Sequence, residues 1–425
     1  MTTTSSTPPH RRRFRRRLIG LGILLALGLA GLWAARGGRP VAEPAGAIDL
    51  DLGAWANFAF SPDGRTLAFD GVRILLPEPA PNPPAMAGHQ QFVRLRDLAT
   101  GRAGASFDLD ACPYPQADGP RPILFSPDGS ILVAGNWLDP RDPPLAGSPV
   151  APPMLRAWEV GTGKVLATLP LPAGWGRQAA FAADGRTLTA SRGDAAGEQV
   201  IQWSTADWHQ VAAIRLPSTN GVNATALAPA GDLAALASYA NADIRLYDLP
   251  SGRLRGALSQ PQLRGTFRSF VEIRFAPDGA TLAALCGDNT VQFWDVATAT
   301  LRASYVPRDL RYQAYMTFAP DGQTLALYDA HDIHDGPLDR LHRWAGLITG
   351  WQSRPVERVG QVHLIGVATG RPLGSFAIPQ PSPSDFAFTP DGRTLATYGA
   401  DVSVPPQTKH FPTRLLFWRL DRGGP

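Results

Sequence analysis

With 425 residues, 44% hydrophobic and 9% aromatic, the chain holds enough apolar material for a large buried core, which excludes wholesale disorder. The formal charge of +4 misleads: seven arginines and no acid fall in residues 1–36, leaving 33 basic against 36 acidic residues, so the folded part has no basic excess for nucleic acid. Two cysteines, Cys112 and Cys286, far apart and in no Cys-x-x-Cys pair, exclude a disulfide framework and a zinc ribbon.

From the N-terminus, an Arg-rich tail over residues 1–17 ends in Arg11-Arg12-Arg13-Phe14-Arg15-Arg16-Arg17, and residues 18–35 then carry no charge. Eighteen helical residues rise roughly 27 Å, close to the hydrocarbon thickness of a bilayer. The segment reads as an uncleaved signal-anchor helix, with a cleaved signal or a buried helix as alternatives. The arginines before it place the N-terminus in the cytoplasm and the rest outside, periplasmic in a bacterium. Residues 36–46 read as a linker, rich in Gly and Pro.

Beyond the linker one unit recurs seven times. Its clearest copy is Phe60-Ser61-Pro62-Asp63-Gly64, returning at Phe125–Gly129, Phe181–Gly185, Leu227–Gly231, Phe275–Gly279, Phe318–Gly322 and Phe388–Gly392. Proline pre-sets φ at the first central turn position, Asp suits the next, and Gly takes the left-handed conformation from which a strand resumes. These aspartates are therefore turn formers before anything else. Downstream of each turn runs an alternating strand that usually ends on an aromatic residue: Val93–Asp97, Leu155–Glu159, Val200–Trp203, Ile244–Asp248, Val291–Asp295, Val362–Gly366 and Leu415–Arg419. Short apolar strands such as Ala105–Leu109, Val165–Leu171 and Leu373–Ile378 follow, so each unit supplies four strands. Cys286 falls in a strand and Cys112 in a loop.

The stretch Gly287-Asp288-Asn289-Thr290-Val291-Gln292-Phe293-Trp294-Asp295 resembles the WD40 repeat family, and the resemblance extends over about residues 47–421. It implies an all-β fold, a seven-bladed β-propeller of four-stranded antiparallel blades, and an interaction platform in place of an enzyme. The chain ends one strand short of a complete seventh blade. The stretch 48–52 matches an outer strand and is expected to close the ring.

Function is less legible. No nucleophile elbow, phosphate-binding loop, metalloprotease helix or kinase signature occurs, and no catalytic residue or cofactor is assigned. The connections between second and third strands are long in the first, second, sixth and seventh units, which are contiguous in a closed ring. Their shared face is the expected surface for a protein partner. Arg121, Arg177, Arg264, Arg268 and Arg311 lie between blades and are partner-binding candidates that could rim the central channel and attract an anionic partner, with Trp344 and Trp351 from the sixth insertion as aromatic contacts. His331, Asp332 and His334 are weak metal-ligand candidates by residue type, and a solvated surface loop is the preferred reading of them. The resulting expectation is a membrane-tethered, non-enzymatic scaffold; the alternative is a periplasmic propeller enzyme, or a ligand or metal sensor, acting at the channel mouth.

Overall fold

The computed structural model describes residues 41–50, 57–75, 88–112, 122–136, 153–172, 175–194, 197–217, 222–238, 243–259, 270–307, 315–332, 358–380, 383–401, 403 and 413–421. Its repeating element is the turn. Asp63 Oδ1 accepts the Arg65 amide at 3.0 Å and the Ser61 hydroxyl at 2.6 Å, while the Ser61 hydroxyl oxygen accepts the Thr66 amide at 2.9 Å. The same Asp-to-amide bond is made by Asp128, Asp184, Asp278, Asp321 and Asp391, at 2.9–3.0 Å. The glycine after each takes φ between 65° and 75°, as does Gly231 in the fourth copy, where Ala230 replaces Asp. Bonds from Ser61 and Ser126 hold the Asp63 and Asp128 carboxyls below their usual range. The aspartates are thus committed to local structure.

The strands in chain order are β1 Ala42–Asp49; β2 Phe58–Phe60, β3 Thr66–Leu75, β4 Gly88–Asp97 and β5 Ala103–Cys112; β6 Ile123–Phe125, β7 Ile131–Asn136, β8 Met154–Glu159 and β9 Val165–Pro170. Then come β10 Trp175–Phe181, β11 Thr187–Asp194, β12 Gly197–Ser204 and β13 Gln210–Pro217; β14 Val222–Leu227, β15 Leu233–Ser238, β16 Asp243–Asp248 and β17 Leu254–Ser259. The chain continues with β18 Phe270–Phe275, β19 Thr281–Cys286, β20 Val291–Asp295 and β21 Thr300–Tyr305; β22 Tyr315–Phe318, β23 Thr324–Asp332, β24 Arg358–Gly366 and β25 Pro372–Ile378; and β26 Asp385–Phe388, β27 Thr394–Ala400 and β28 Thr413–Leu420. Six four-stranded antiparallel sheets are consecutive in sequence. The seventh has the order β1-β28-β27-β26. The arrangement is a seven-bladed propeller.

No single core holds it together. Seven buried apolar clusters lie one between each pair of neighbouring blades, including one that joins the seventh blade to the first through Phe58, Leu67, Phe69, Tyr398 and Leu415. A four-stranded blade has two apolar faces and buries both only against neighbours, so the stable unit is the closed ring. Cys286 is a buried core residue on β19.

The direction of each strand defines two faces. Inner strands run towards the Pro-Asp-Gly turns, so these turns share one face, and the connections between second and third strands share the other, here termed the loop face. β1 begins at Ala42, opposite Leu420, and ends at Asp49, opposite Arg414. The chain therefore enters the propeller from the turn face and crosses to the loop face before β2.

Three boundaries differ from the sequence pattern. β1 covers Ala42–Asp49, not 48–52, because its early residues are solvent-exposed and bound only by backbone pairing, and because Pro44, which has no amide to donate, sits at a bulge where Ala45 is skipped. β4 and β5 extend past the alternating core so that Cys112 pairs with His89 as a strand residue and not as part of a loop. β23 likewise continues through His331 and Asp332, paired with Val359 and Arg358. Backbone pairing leaves no signature in hydrophobicity.

Gly370 supplies a stability test. It sits in the third-to-fourth-strand turn of the sixth blade at φ +65°, and an added Cβ would stand 2.7 Å from the Ser304 carbonyl oxygen of β21. Gly370→Ala combines left-handed strain with overpacking and should lower unfolding free energy by about 2–4 kcal/mol in urea melts. Gly256→Ala, with nothing within 4 Å of its added Cβ, should leave it nearly unchanged. Equal effects would contradict the packing of these turns on the preceding blade.

Candidate functional site

The inner strands start at the loop face, so their first residues ring the mouth of the central channel. Counting three residues back from the residue that opens each turn motif gives Asn57, Pro122, Gln178, Ala224, Glu272, Tyr315 and Asp385. An inner strand is a sheet edge with amides that no strand satisfies. Three side chains of this ring bond such amides on the next blade: Gln178 Oε1 accepts the Leu227 amide at 2.7 Å, Glu272 Oε2 the Met316 amide at 3.1 Å, and Asp385 Oδ2 the Phe58 amide at 3.1 Å. The last of these crosses from the seventh blade to the first. Asn57 is held by the buried Asp70, which accepts its amide at 2.6 Å and its Nδ2 at 3.1 Å.

Directly below that ring the corresponding residues are Ala59, Leu124, Ala180, Ala226, Arg274, Thr317 and Ala387. The small side chains leave room for the one long cation. Arg274 Nε bonds Glu272 Oε1 at 2.5 Å, and its side chain is 45% exposed to channel water. The Glu272 carboxylate, followed by Asp385, raises the Arg274 pKa. Enclosure in the wall pushes Asp385 up to about 6, although the Phe58 amide and Arg274 pull it down; Asp70 adds to the rise. Glu272, Arg274 and Asp385 thus give the channel a charged lining, with one carboxyl that titrates close to neutrality.

Exposed apolar side chains share this face, Val271 and Tyr315 on inner strands beside the charges and Val306 at the end of the outer strand β21. Val271, Val306 and Tyr315 are 45%, 67% and 46% exposed at the loop-face end of the fifth and sixth blades. Tyr315 stacks on Tyr328, with ring centroids 6.5 Å apart, and Tyr328 contacts Phe386 at 6.4 Å. Burial, followed by the Glu272 charge, raises the Tyr315 hydroxyl pKa, which favours its neutral, hydrogen-bonding form. The mouth combines exposed apolar surface with oriented polar groups. Sequence reading passed over Glu272, Arg274, Tyr315 and Asp385 because each is single within its repeat; aligning the seven copies on the turn brings them into two columns.

The residues singled out from sequence fare differently. Arg121, Arg264, Arg268, Arg311, Trp344, Trp351 and His334 lie outside the described residues. Arg177 is the skipped residue of a bulge in β10, between Gly176 and Gln178. His331 and Asp332 end β23. Among the described residues no three His, Cys, Asp or Glu side chains form a group able to hold a metal. Acid and imidazole approach each other at an exposed turn of the third blade, His209 Nδ1 to Asp207 Oδ1 at 2.6 Å, and on the sixth blade, where His363 Nε2 and the buried Asp329 Oδ2 are 3.3 Å apart.

Residues 262–295 match the family model of the WD domain, G-beta repeat. This stretch includes most of the fifth blade and its Trp294-Asp295 ending. The fifth unit is thus similar to a WD40 repeat, and the whole is arranged as a seven-bladed propeller. No curated protein matches the chain. A WD40 propeller suggests a protein-interaction scaffold, since such propellers typically bind protein partners and are usually non-enzymatic.

Asp385 gives this site a measurable signature. Its pKa is about 6 in the fold against 3.8 unperturbed, so between those values the folded protein holds more protons than the unfolded chain. Its contribution makes stability fall as pH rises through that window, by at most about 1.4 kcal/mol per pH unit. Asp385→Asn removes this falling contribution and should make the slope of unfolding free energy between pH 4 and 6 more positive than in the unaltered protein. Parallel profiles would show that Asp385 titrates normally.

Proposed function

We propose that the chain is a membrane-tethered, non-enzymatic scaffold that receives a protein partner on its loop face. One observation carries this reading: Val271 and Tyr315 stand exposed on neighbouring inner strands at the channel mouth, where Glu272 bonds the Met316 amide and Asp385 the Phe58 amide. Interfaces use such aromatic and aliphatic anchors for affinity and the polar groups around them for register. The strands flanking residues 76–87, 137–152, 333–357 and 404–412 also end on this face, in four blades contiguous around the ring. That concentrates the longest connections in one sector.

The tether follows from the N-terminal sequence together with the direction of β1. Residues 18–35 are long enough to span a bilayer, and six arginines precede them. Among the described residues no helix is long and apolar enough to cross a membrane, and residues 18–35 lie outside those described. From Arg36 to Ala42 is six residues, at most about 20 Å of chain. An anchored propeller entered from the turn face would hold that face towards the lipid and its loop face outward, on the extracytoplasmic side. A second reading, a ligand sensor or enzyme at the channel mouth, is favoured by one observation, the convergence of Glu272, Arg274 and Asp385.

Crosslinking capture from membranes separates these readings. Val271→Asp with Tyr315→Ser should remove, at unchanged melting temperature, the protein species captured by the unaltered chain. Arg65→Glu with Arg393→Glu, on the turn face, should retain it. Loss with the turn-face pair alone would reverse the assignment. Deleting residues 18–35 should move the protein from the carbonate-resistant membrane pellet to the supernatant; persistence in the pellet would remove the anchor from the account.

A further inference from the structure

The third strand of each blade ends with a residue that packs towards the preceding blade. In six blades it is Trp158, Trp203, Tyr247, Trp294, Ile365 and Trp418, none more than 8% exposed. Each is paired across the sheet with the second strand at an equivalent register, Trp158 with Leu132 and Trp418 with Leu395 for example. In the first blade the equivalent residue, paired with Leu67, is Arg96. A guanidinium cannot fill an indole's place, and at this point lies a cleft of about 320 Å³. It opens between the first blade and the end of β1, and is lined by Leu50, Phe69, Arg94, Arg96, Gly101 and Ser106.

The charges in this cleft are unmatched. Arg96 Nε is buried without a hydrogen-bond partner, and no carboxylate of a described residue pairs with Arg96 or Arg94. Arg94 rests over the Phe92 ring, 4.3 Å from its centroid, which positions the guanidinium without neutralising it. The Arg96 guanidinium lies beside the 97–102 turn, its Nη2 3.8 Å from where a Cβ added at Gly101 would stand. Two guanidiniums on one face of β4, one with a buried orphan donor, offer a fork to an oxyanion. Leu50 and Phe69 wall the remainder of the cleft with apolar surface. The volume exceeds the roughly 30 Å³ share of one water about tenfold.

We infer that this seam cleft binds a small organic oxyanion, a carboxylate or phosphate monoester on a compact apolar body, with Arg94 and Arg96 holding the anionic group and Leu50 and Phe69 covering the body. The site stands apart from the loop-face reading and does not depend on it. Because the ligand would touch both the closure strand's end and the first blade, its binding would brace the ring at its junction, and ligand affinity would appear directly as thermal stability.

The test uses the full chain in detergent with benzoate, phenyl phosphate and inorganic phosphate as probes, read by calorimetric titration and thermal melting. At least one organic anion should bind saturably and raise the melting temperature by several degrees at a hundredfold excess over its Kd. Arg96→Trp, which supplies the residue found here in four of the other six blades, should melt at or above the unaltered protein and lose about tenfold or more in affinity. Arg94→Gln, at an exposed position that leaves the packing intact, should weaken binding in the same direction. No saturable binding of either organic anion, or unchanged binding in Arg96→Trp, overturns the inference. Inorganic phosphate binding as tightly as phenyl phosphate would reduce the cleft to a bare ion site and overturn the organic ligand.

Discussion

Everything in this molecule rests on one pairing, that of β1 with β28. Each blade buries its two faces only against its neighbours, so seven blades in a row would leave two apolar faces exposed and two sheets competing for closure. Placing the first strand of the propeller in the last sheet joins the ends of the chain through backbone hydrogen bonds. Arg414 adds a bond to Asp49 at 2.6 Å, next to its bond to the buried Asp401 at 3.2 Å. The blade-seven to blade-one cluster and the Asp385 bond to the Phe58 amide are possible only because that strand holds the two blades together.

The same pairing sets the orientation. Because β1 runs antiparallel to β28, the chain enters the ring from the turn face, the face opposite the channel mouth. The two faces also differ in what their polar groups do. On the turn face the aspartates of the repeat are engaged in their own turns, leaving little unspent bonding capacity. At the loop-face mouth Glu272 and Asp385 are placed by bonds between blades, in an enclosure that makes ionisation of Asp385 unfavourable. A carboxyl held where its charge is disfavoured is a common mark of a site that meets something outside the chain.

How much of this the sequence displays depends on whether a feature is local. The Pro-Asp-Gly turns are written in adjacent residues whose dihedral preferences leave one outcome, so seven copies and hence seven blades can be counted directly. Strand ends beyond the core, such as Ala42–Gly46 and His331–Asp332, are held by backbone pairing to partners remote in sequence and carry no alternation to read. The channel lining is built from single residues about fifty positions apart, and Glu272, Tyr315 and Asp385 become a set only when the repeats are aligned on their turns. Arg96 stands where the other copies carry Trp, Tyr or Ile, an equivalence set by cross-strand register, and the cleft beside it shows only in the packing of the blades.

The ring closure is most directly tested by hydrogen exchange on the full chain, following peptides that cover Ala42–Asp49 and Thr413–Leu420 as denaturant is raised. The closed-ring account predicts that both segments are protected and that both lose protection together with the interior strands, in one cooperative opening. Exchange of Ala42–Asp49 at the rate of an unstructured peptide, while Thr413–Leu420 and the other blades remain protected, would contradict it.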